Sequence, residues 1–432
     1  MTFANIGFLL LGLIAGVLAL IGILDAVRGT PVREVKTLGG SEVPGVHEPA
    51  FQPMIELASS TELQLGNSVE IFWNGDQTYP RLWADLRAAQ RSITLQMYYC
   101  KPGRMADELS EILVERVRAG VKVLFLYDAW GTSFKKKYVN ALKHGGVRVE
   151  KFRPITVMAM NHLNHRAHIR VVCVDGRIGW TGGFGIDDKW FGNGRSKDQW
   201  RDSNARFTGP AVSQLQQAFT ACWAEATGEL LVGETLFPAA DEKPVKNDGT
   251  LLAGLLHASP SVGSTEAERF FAVSIASARE KLYITNSYFV PDRDFRKLII
   301  AAARRGVDTR VLTVSEETDI KSTWYAGRAR YEQLLKGGVR LFEYRPTMMH
   351  AKTLVVDGKW GAVGSMNADN RSLSFNEETV LMMLDDGAAR TIEKHFLDDL
   401  AHSNEIHLAE FRKRGLMGRL KEKACYAFWR IL

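Results

Sequence analysis

The stretch His350-Ala-Lys352-Thr-Leu-Val-Val-Asp357-Gly358 decides both the fold and the chemistry of this chain. Thr, Leu and two Val in succession favour a pleated, buried strand. At the two-residue period of extended backbone, His350 and Lys352 project to one face. Asp357-Gly358 then turns the chain into a second short strand, Gly361-Ala-Val-Gly-Ser-Met-Asn367. The same order occurs earlier as His168-Ile-Arg170-Val-Val-Cys-Val-Asp175-Gly176, followed by Trp180-Thr-Gly-Gly183.

Outward from these motifs the chain duplicates itself. Arg91-Ser-Ile-Thr-Leu-Gln-Met-Tyr-Tyr99 and Glu280-Lys-Leu-Tyr-Ile-Thr-Asn-Ser-Tyr288 read as buried strands. Each is followed by a helical stretch closing on a Gly-Val pair, then by Gly-Gly-Val-Arg and an aromatic-Arg-Pro, Phe152-Arg-Pro154 and Tyr344-Arg-Pro346. Gly120 and Gly306 lie 186 residues apart, and Gly145 and Gly337 192. A solenoid repeats every ~20–50 residues, so this is a duplicated domain. Strands alternating with helices predict an α/β fold of two αβα sandwich units, residues 61–234 and 263–410, with Thr235 to Val262 as their linker.

The 432 residues are 46% hydrophobic and 24% charged, which excludes disordered, collagenous and disulfide-scaffold classes. Cys100, Cys173, Cys222 and Cys425 are far apart and read as free thiols. Met1 to Leu24 carries no charged side chain and is almost wholly apolar, long enough for a transmembrane helix. A cleaved signal peptide competes, but no Lys or Arg precedes the run and no Ala-x-Ala closes it. Arg28, Arg33 and Lys36 follow it, which favours a cytoplasmic body on a single-pass anchor. Residues 25–60, rich in Gly, Pro and Val, read as a tether.

The net charge is +6, and residues 411–432 alone hold seven Lys and Arg against one acid. All of the excess therefore sits in one tail. Leu416, Leu420, Ala424, Ala427, Phe428 and Ile431 fall on one face of it as a helix, a pattern suited to an anionic membrane surface. A terminal helix docked on the domain is the competing reading.

Two imidazoles and two cations brought together across a duplicated interface suit a phosphodiester. The cations hold its oxygens, one imidazole attacks phosphorus and the other protonates the leaving oxygen. His162, His165 and His168 form a His-x2-His-x2-His run without the Cys or carboxylate partners of a zinc site, so no metal is expected. Gly182-Gly-Phe-Gly185 lacks the remaining features of a dinucleotide fingerprint and no P-loop occurs, so no cofactor is expected. Tyr98, Tyr99, Tyr288 and Phe289 sit at strand ends facing the expected cleft.

With two H-x-[KR]-x(4)-D motifs, the second trailed by Gly364-Ser365-x-Asn367-x-Asp369-x-Arg371-Ser372, the sequence resembles the phospholipase D superfamily over roughly residues 65–415. It is most similar to the bacterial cardiolipin synthase branch. The resemblance implies a phospholipase D-like sandwich and a membrane-anchored phosphatidyltransferase of the bacterial inner membrane. Such an enzyme joins two phosphatidylglycerol molecules into cardiolipin and glycerol.

The resemblance also implies the site residues. His168 would form the phosphohistidine and His350 act as acid and base, with the two roles exchangeable. Arg170 and Lys352 would grip the phosphate, and Ser365 and Asn367 would add neutral donors to substrate. Asp175 and Asp357 belong to the catalytic motifs in a supporting role. Glu378 would orient a catalytic histidine, with Asp202 as its first-half counterpart. Two departures stand out, Arg170 in place of lysine and Gly185 in place of the Asn367 equivalent. Hydrolysis to phosphatidic acid, a phosphodiesterase acting on nucleic acid and an inactive lipid-binding protein are the alternatives. The anchor and the absence of a broad basic stripe argue against a nucleic-acid partner.

Overall fold

The computed structural model describes residues 5, 7–8, 11–17, 19, 32–155, 165–239, 249–260 and 265–428. The first half contributes β1 (Gln64–Trp73), β2 (Ser92–Met97), β3 (Lys122–Asp128), β4 (Arg148–Phe152), β5 (Val171–Val174), β6 (Ile178–Gly182) and β7 (Ser203–Thr208). The second contributes β8 (Leu251–Ala258), β9 (Lys281–Thr285), β10 (Asp308–Val314), β11 (Arg340–Tyr344), β12 (Thr353–Val356), β13 (Trp360–Gly364) and β14 (Glu378–Leu384), with β15 (Ser403–Glu405) at its edge.

These strands form one sheet in the order β15-β11-β10-β9-β12-β13-β14-β8-β1-β7-β6-β5-β2-β3-β4. Read outward from the β8–β1 pair, the two sides repeat each other strand for strand, as the duplication predicts. In each half three parallel strands, joined through helices such as Arg104–Arg118 and Arg293–Arg304, carry the motif hairpin antiparallel on one side. Every residue of β2 is buried, the pattern of a parallel strand covered on both faces.

The motif hairpins turn at Asp175 (φ 55°) and Gly176 (φ 65°), and again at Asp357 (φ 49°) and Gly358 (φ 62°). Each connection has three residues, and its first two take the left-handed conformation that Asp tolerates and Gly adopts freely. His168-x-Arg170 and His350-x-Lys352 themselves lie just ahead of β5 and β12, in lead-in segments rather than in the strands.

Two segments differ from expectation. The stretch read as a linker contains β8, hydrogen-bonded between β14 and β1 as the second half's equivalent of β1. The eight residues of β8 follow a Pro- and charge-rich stretch, and pairing on both sides makes them a strand. The stretch read as a tether contains the helix Phe51–Ser59, whose Phe51 and Ile55 are fully buried. The expected membrane span lies largely outside the described residues. Residues 11–17 are helical, and among the described residues no helix is long and apolar enough to cross a membrane.

Candidate active site

The two lead-in segments meet at the seam between the halves, each held there by backbone. Ala167 bridges Glu377 and Arg201 bridges Met349. The Glu377 N–H donates to Arg166 O at 2.9 Å and the His350 N–H to Arg201 O at 2.7 Å. Each bridge sets a motif histidine beside the next residue of the opposite half. His168 Nδ1 lies 3.0 Å from Glu378 Oε1, and His350 Nδ1 lies 2.9 Å from Asp202 Oδ2. The orienting carboxylates are thus exchanged between halves. Occupying Nδ1 leaves Nε2 of each ring for substrate, and both histidines line a cavity of about 470 Å³.

The carboxylates are held differently. Ser365 Oγ donates to Glu378 Oε2, and the Thr379 N–H donates to Ser365 Oγ at 3.0 Å. Ser365 is fully buried and outside the cavity lining, so it positions Glu378 and does not serve as a substrate donor. Asp202 Oδ2 receives the Trp190 indole N–H at 2.7 Å instead. Gly183 stands where Ser365 stands in the other half, and a Cβ there would come within 2.1 Å of Asp202 Oδ1. Gly185 stands in place of Asn367, and its Cβ would meet the Trp190 ring at 2.9 Å. The departure at Gly185 therefore makes room for a tryptophan that packs edge-on against His350, with ring centroids 5.3 Å apart.

Arg170 and Lys352 are almost fully buried. Arg170 donates through Nε to Phe184 O at 3.2 Å and also to His168 O. Lys352 donates through Nζ to Ser287 Oγ at 2.9 Å and, in parallel with Arg170, to His350 O. Burial beside these cations pushes His168 well below its usual range. Burial and Lys352 push His350 down to about 3, against an upward pull from Asp202. Burial and the Arg170 charge bring Lys352 to about 7. Burial lifts Glu378 to about 8. Burial also opposes ionisation of Asp202, but His350 and Lys352 outweigh it and hold that carboxyl below its usual range. Equivalent places in the two halves thus carry carboxyls of opposite tendency.

The motif aspartates are remote from this chemistry. Asp175 accepts the N–H groups of Gln90, Arg91 and Ser92, and Asp357 those of Arg279, Glu280 and Lys281. Each pins its hairpin turn to the start of β2 or β9. They are structural, which corrects their place in the catalytic set.

Asn367 lines the cavity as expected, as do Tyr98, Tyr99 and Tyr288. Phe289 instead belongs to the second half's core. His165 places Nδ1 3.2 Å from Phe375 O, while His162 lies outside the described residues. Among the described residues no three His, Cys, Asp or Glu side chains cluster to hold a metal. Trp190, Trp200 and Asn376 were not singled out by motif spacing, and Arg371 belongs to the trailing motif without a role assigned to it there. A bulky neighbour such as Trp190 was implied only by glycine in place of Asn.

The family described as "Cardiolipin synthase, PLD-like domain" matches residues 82–223 and 272–400. The chain is 30% identical to "Cardiolipin synthase" of Halalkalibacterium halodurans over 384 residues, covering 88% of this chain and 75% of that protein. It is 33% identical to "Cardiolipin synthase 2" of Bacillus anthracis over 352 residues, covering 81% and 68%. Among solved structures, the phosphatidylserine synthase of Haemophilus influenzae shares the fold with a TM-score of 0.66 at 13% identity, over 88% of this chain and all of that one. Two family matches falling on the two halves, with the paired histidine motifs inside them, show that the chain belongs to the cardiolipin synthase branch of the phospholipase D superfamily.

Proposed function

We propose that this chain is a phosphatidyltransferase that converts two phosphatidylglycerol molecules into cardiolipin and glycerol. The observation that carries the reading is the pair of crossed His–carboxylate contacts facing one cavity. His168 is the nucleophile, its Nδ1–H given to Glu378 so that the Nε2 lone pair is free. His350, beside the ionised Asp202, is the ring better able to hold a proton and so the acid and base.

The His168 Nε2 lone pair forms a P–N bond as the bond from phosphorus to the glycerol oxygen breaks. With an anionic phosphate in the cavity offsetting Lys352 and Arg170, His350 is protonated against Asp202 and gives that proton to the departing oxygen. Neutral His350 then takes the proton of a second phosphatidylglycerol hydroxyl as that oxygen attacks phosphorus and the P–N bond breaks. Arg170 and Lys352 neutralise the non-bridging oxygens throughout, Arg170 with a planar fork where the family has lysine.

Residues 1–24 would anchor the enzyme in the bacterial inner membrane with its body cytoplasmic, and the basic tail would lie on the same surface. Incubation with labelled phosphatidylglycerol, beside His168→Ala and His350→Ala, tests the reading. Cardiolipin and glycerol are expected, and each variant should lose at least ~10³-fold in rate. Phosphatidic acid as sole product makes the protein a hydrolase, and DNA cleavage without lipid turnover rejects both.

A further inference from the structure

The cavity is electrically lopsided. At its His350 side Asp319 accepts the Tyr288 hydroxyl at 2.8 Å, and the Tyr288 ring lies 6.4 Å from His350. Lys101 also lines the cavity but stands 3.8 Å from the Asp187 carboxylate. Arg170 and Lys352 are tied to the two lead-in carbonyls. Arg371 alone of the lining cations has no hydrogen-bond or ion-pair partner among the described residues. It sits on the short helix Asn370–Ser374, which Asp369 caps through the Ser372 N–H at 2.8 Å. Its charge bears on His168, on Tyr98 and on Asp369, a carboxyl of the same lining that burial lifts to about 6.

Two amides flank it with unmet capacity. Asn367 and Asn376 line the same cavity, and their side-chain oxygens are buried with no hydrogen-bond partner among the described residues. Asn376 is fixed by its N–H donating to Arg371 O at 2.8 Å. A buried amide oxygen left unpaired costs about 1–3 kcal/mol, so a hydroxyl donor is its natural complement.

We infer that Arg371 binds the phosphate of the acceptor phospholipid, while Asn367 and Asn376 receive the secondary hydroxyl of that lipid's glycerol, whose primary hydroxyl attacks phosphorus and gives its proton to His350. Transfer to a second phosphatidylglycerol requires a second anion to sit one glycerol away from the phosphorus held on His168. Asp319, held on Tyr288 near His350, repels it from that side. The proposal rests on the phosphatidyltransferase reading and adds what selects a lipid over water as the acceptor.

The full chain in mixed micelles, given labelled phosphatidylglycerol together with ethanol, partitions one phosphohistidine between cardiolipin and phosphatidylethanol. A slower first step or a smaller folded fraction lowers both products alike, so their ratio reports the acceptor alone. Arg371→Gln should lower the cardiolipin-to-phosphatidylethanol ratio about tenfold or more, and Arg371→Lys should restore much of it. An unchanged ratio overturns the inference, as does joint loss of both products, which would place Arg371 on the donor phosphate. If the unaltered chain makes phosphatidylethanol and no cardiolipin, the transferase reading fails and takes the inference with it. Cardiolipin from the unaltered chain with an unmoved variant ratio removes the inference alone.

Discussion

Asp202 and Glu378 answer to the same position in the two halves, yet one is held ionised and the other driven toward its neutral form. If His350 is the acid, its partner matters most when the departing oxygen needs a proton. With a p-nitrophenyl ester of phosphatidic acid, whose leaving group needs none, Asp202→Asn and His350→Ala should release the first equivalent of nitrophenol within about tenfold of the unaltered rate and then stall, because the second step still needs the base. Glu378→Gln and His168→Ala should lose ~10³-fold or more on the same ester, and the reverse pattern would exchange the two histidines. Lys352 gives a second test. At about 7 it is charged below neutrality and uncharged above, so its grip on phosphate weakens as pH rises. KM for phosphatidylglycerol should climb above pH ~7, and Lys352→Arg, which stays charged, should flatten that limb. The histidines and cations were legible because their spacing is local. The exchange of carboxylates was not, because it depends on backbone bridges between residues 210 and 148 positions apart, and Ser365 could be placed only once Glu378 was.

At the scale of elements, the motif hairpin is a unit pinned at its turn and open at its lead-in. Three backbone N–H groups converge on Asp175 at 2.7–3.0 Å and three on Asp357 at 2.7–2.8 Å, all at the start of the neighbouring strand. Asp175→Ala or Asp357→Ala should cost about 1–3 kcal/mol in urea unfolding, since partly buried donors lose a charged acceptor. KM should hold where the variant remains folded, because neither carboxylate reaches the cavity. Gly185→Asn tests the opposite case. It restores the second half's residue but drives a Cβ to 2.9 Å from the Trp190 ring, so it should lower activity through His350 rather than repair a defective half-site. β8 escaped a pattern-based reading for a related reason. Its apolar run follows a Pro- and charge-rich stretch and only its pairing between β14 and β1 makes it a strand.

Over the whole molecule, continuity through β1 and β8 makes the duplicated halves one body with one cleft, and the surplus charge sits beyond it. The tail helix Leu416–Tyr426 docks on the helix Lys321–Arg328 through Glu422, which is 2.9 Å from Arg414 and 3.6 Å from Arg328. Arg330 stacks on Tyr426 at 3.7 Å. Yet Leu416, Met417, Leu420 and Phe428 remain exposed, at 74%, 66%, 50% and 46%. Docking therefore does not preclude membrane contact, because the docked helix leaves these apolar side chains exposed. Burying two leucines in a bilayer interface contributes about 1.5–3 kcal/mol apiece, enough to matter beside the attraction of the flanking Arg and Lys for anionic lipid. A chain lacking residues 1–31 should still sediment with phosphatidylglycerol vesicles at low salt, lose most of that binding in 0.5 M salt (order of magnitude from screening), and ignore phosphatidylcholine vesicles. Leu416→Ser with Leu420→Ser should weaken it by more than about tenfold. The full chain should stay bound in high salt if residues 1–24 span the bilayer, so salt-resistant binding that survives removal of 1–31 would assign the anchoring elsewhere.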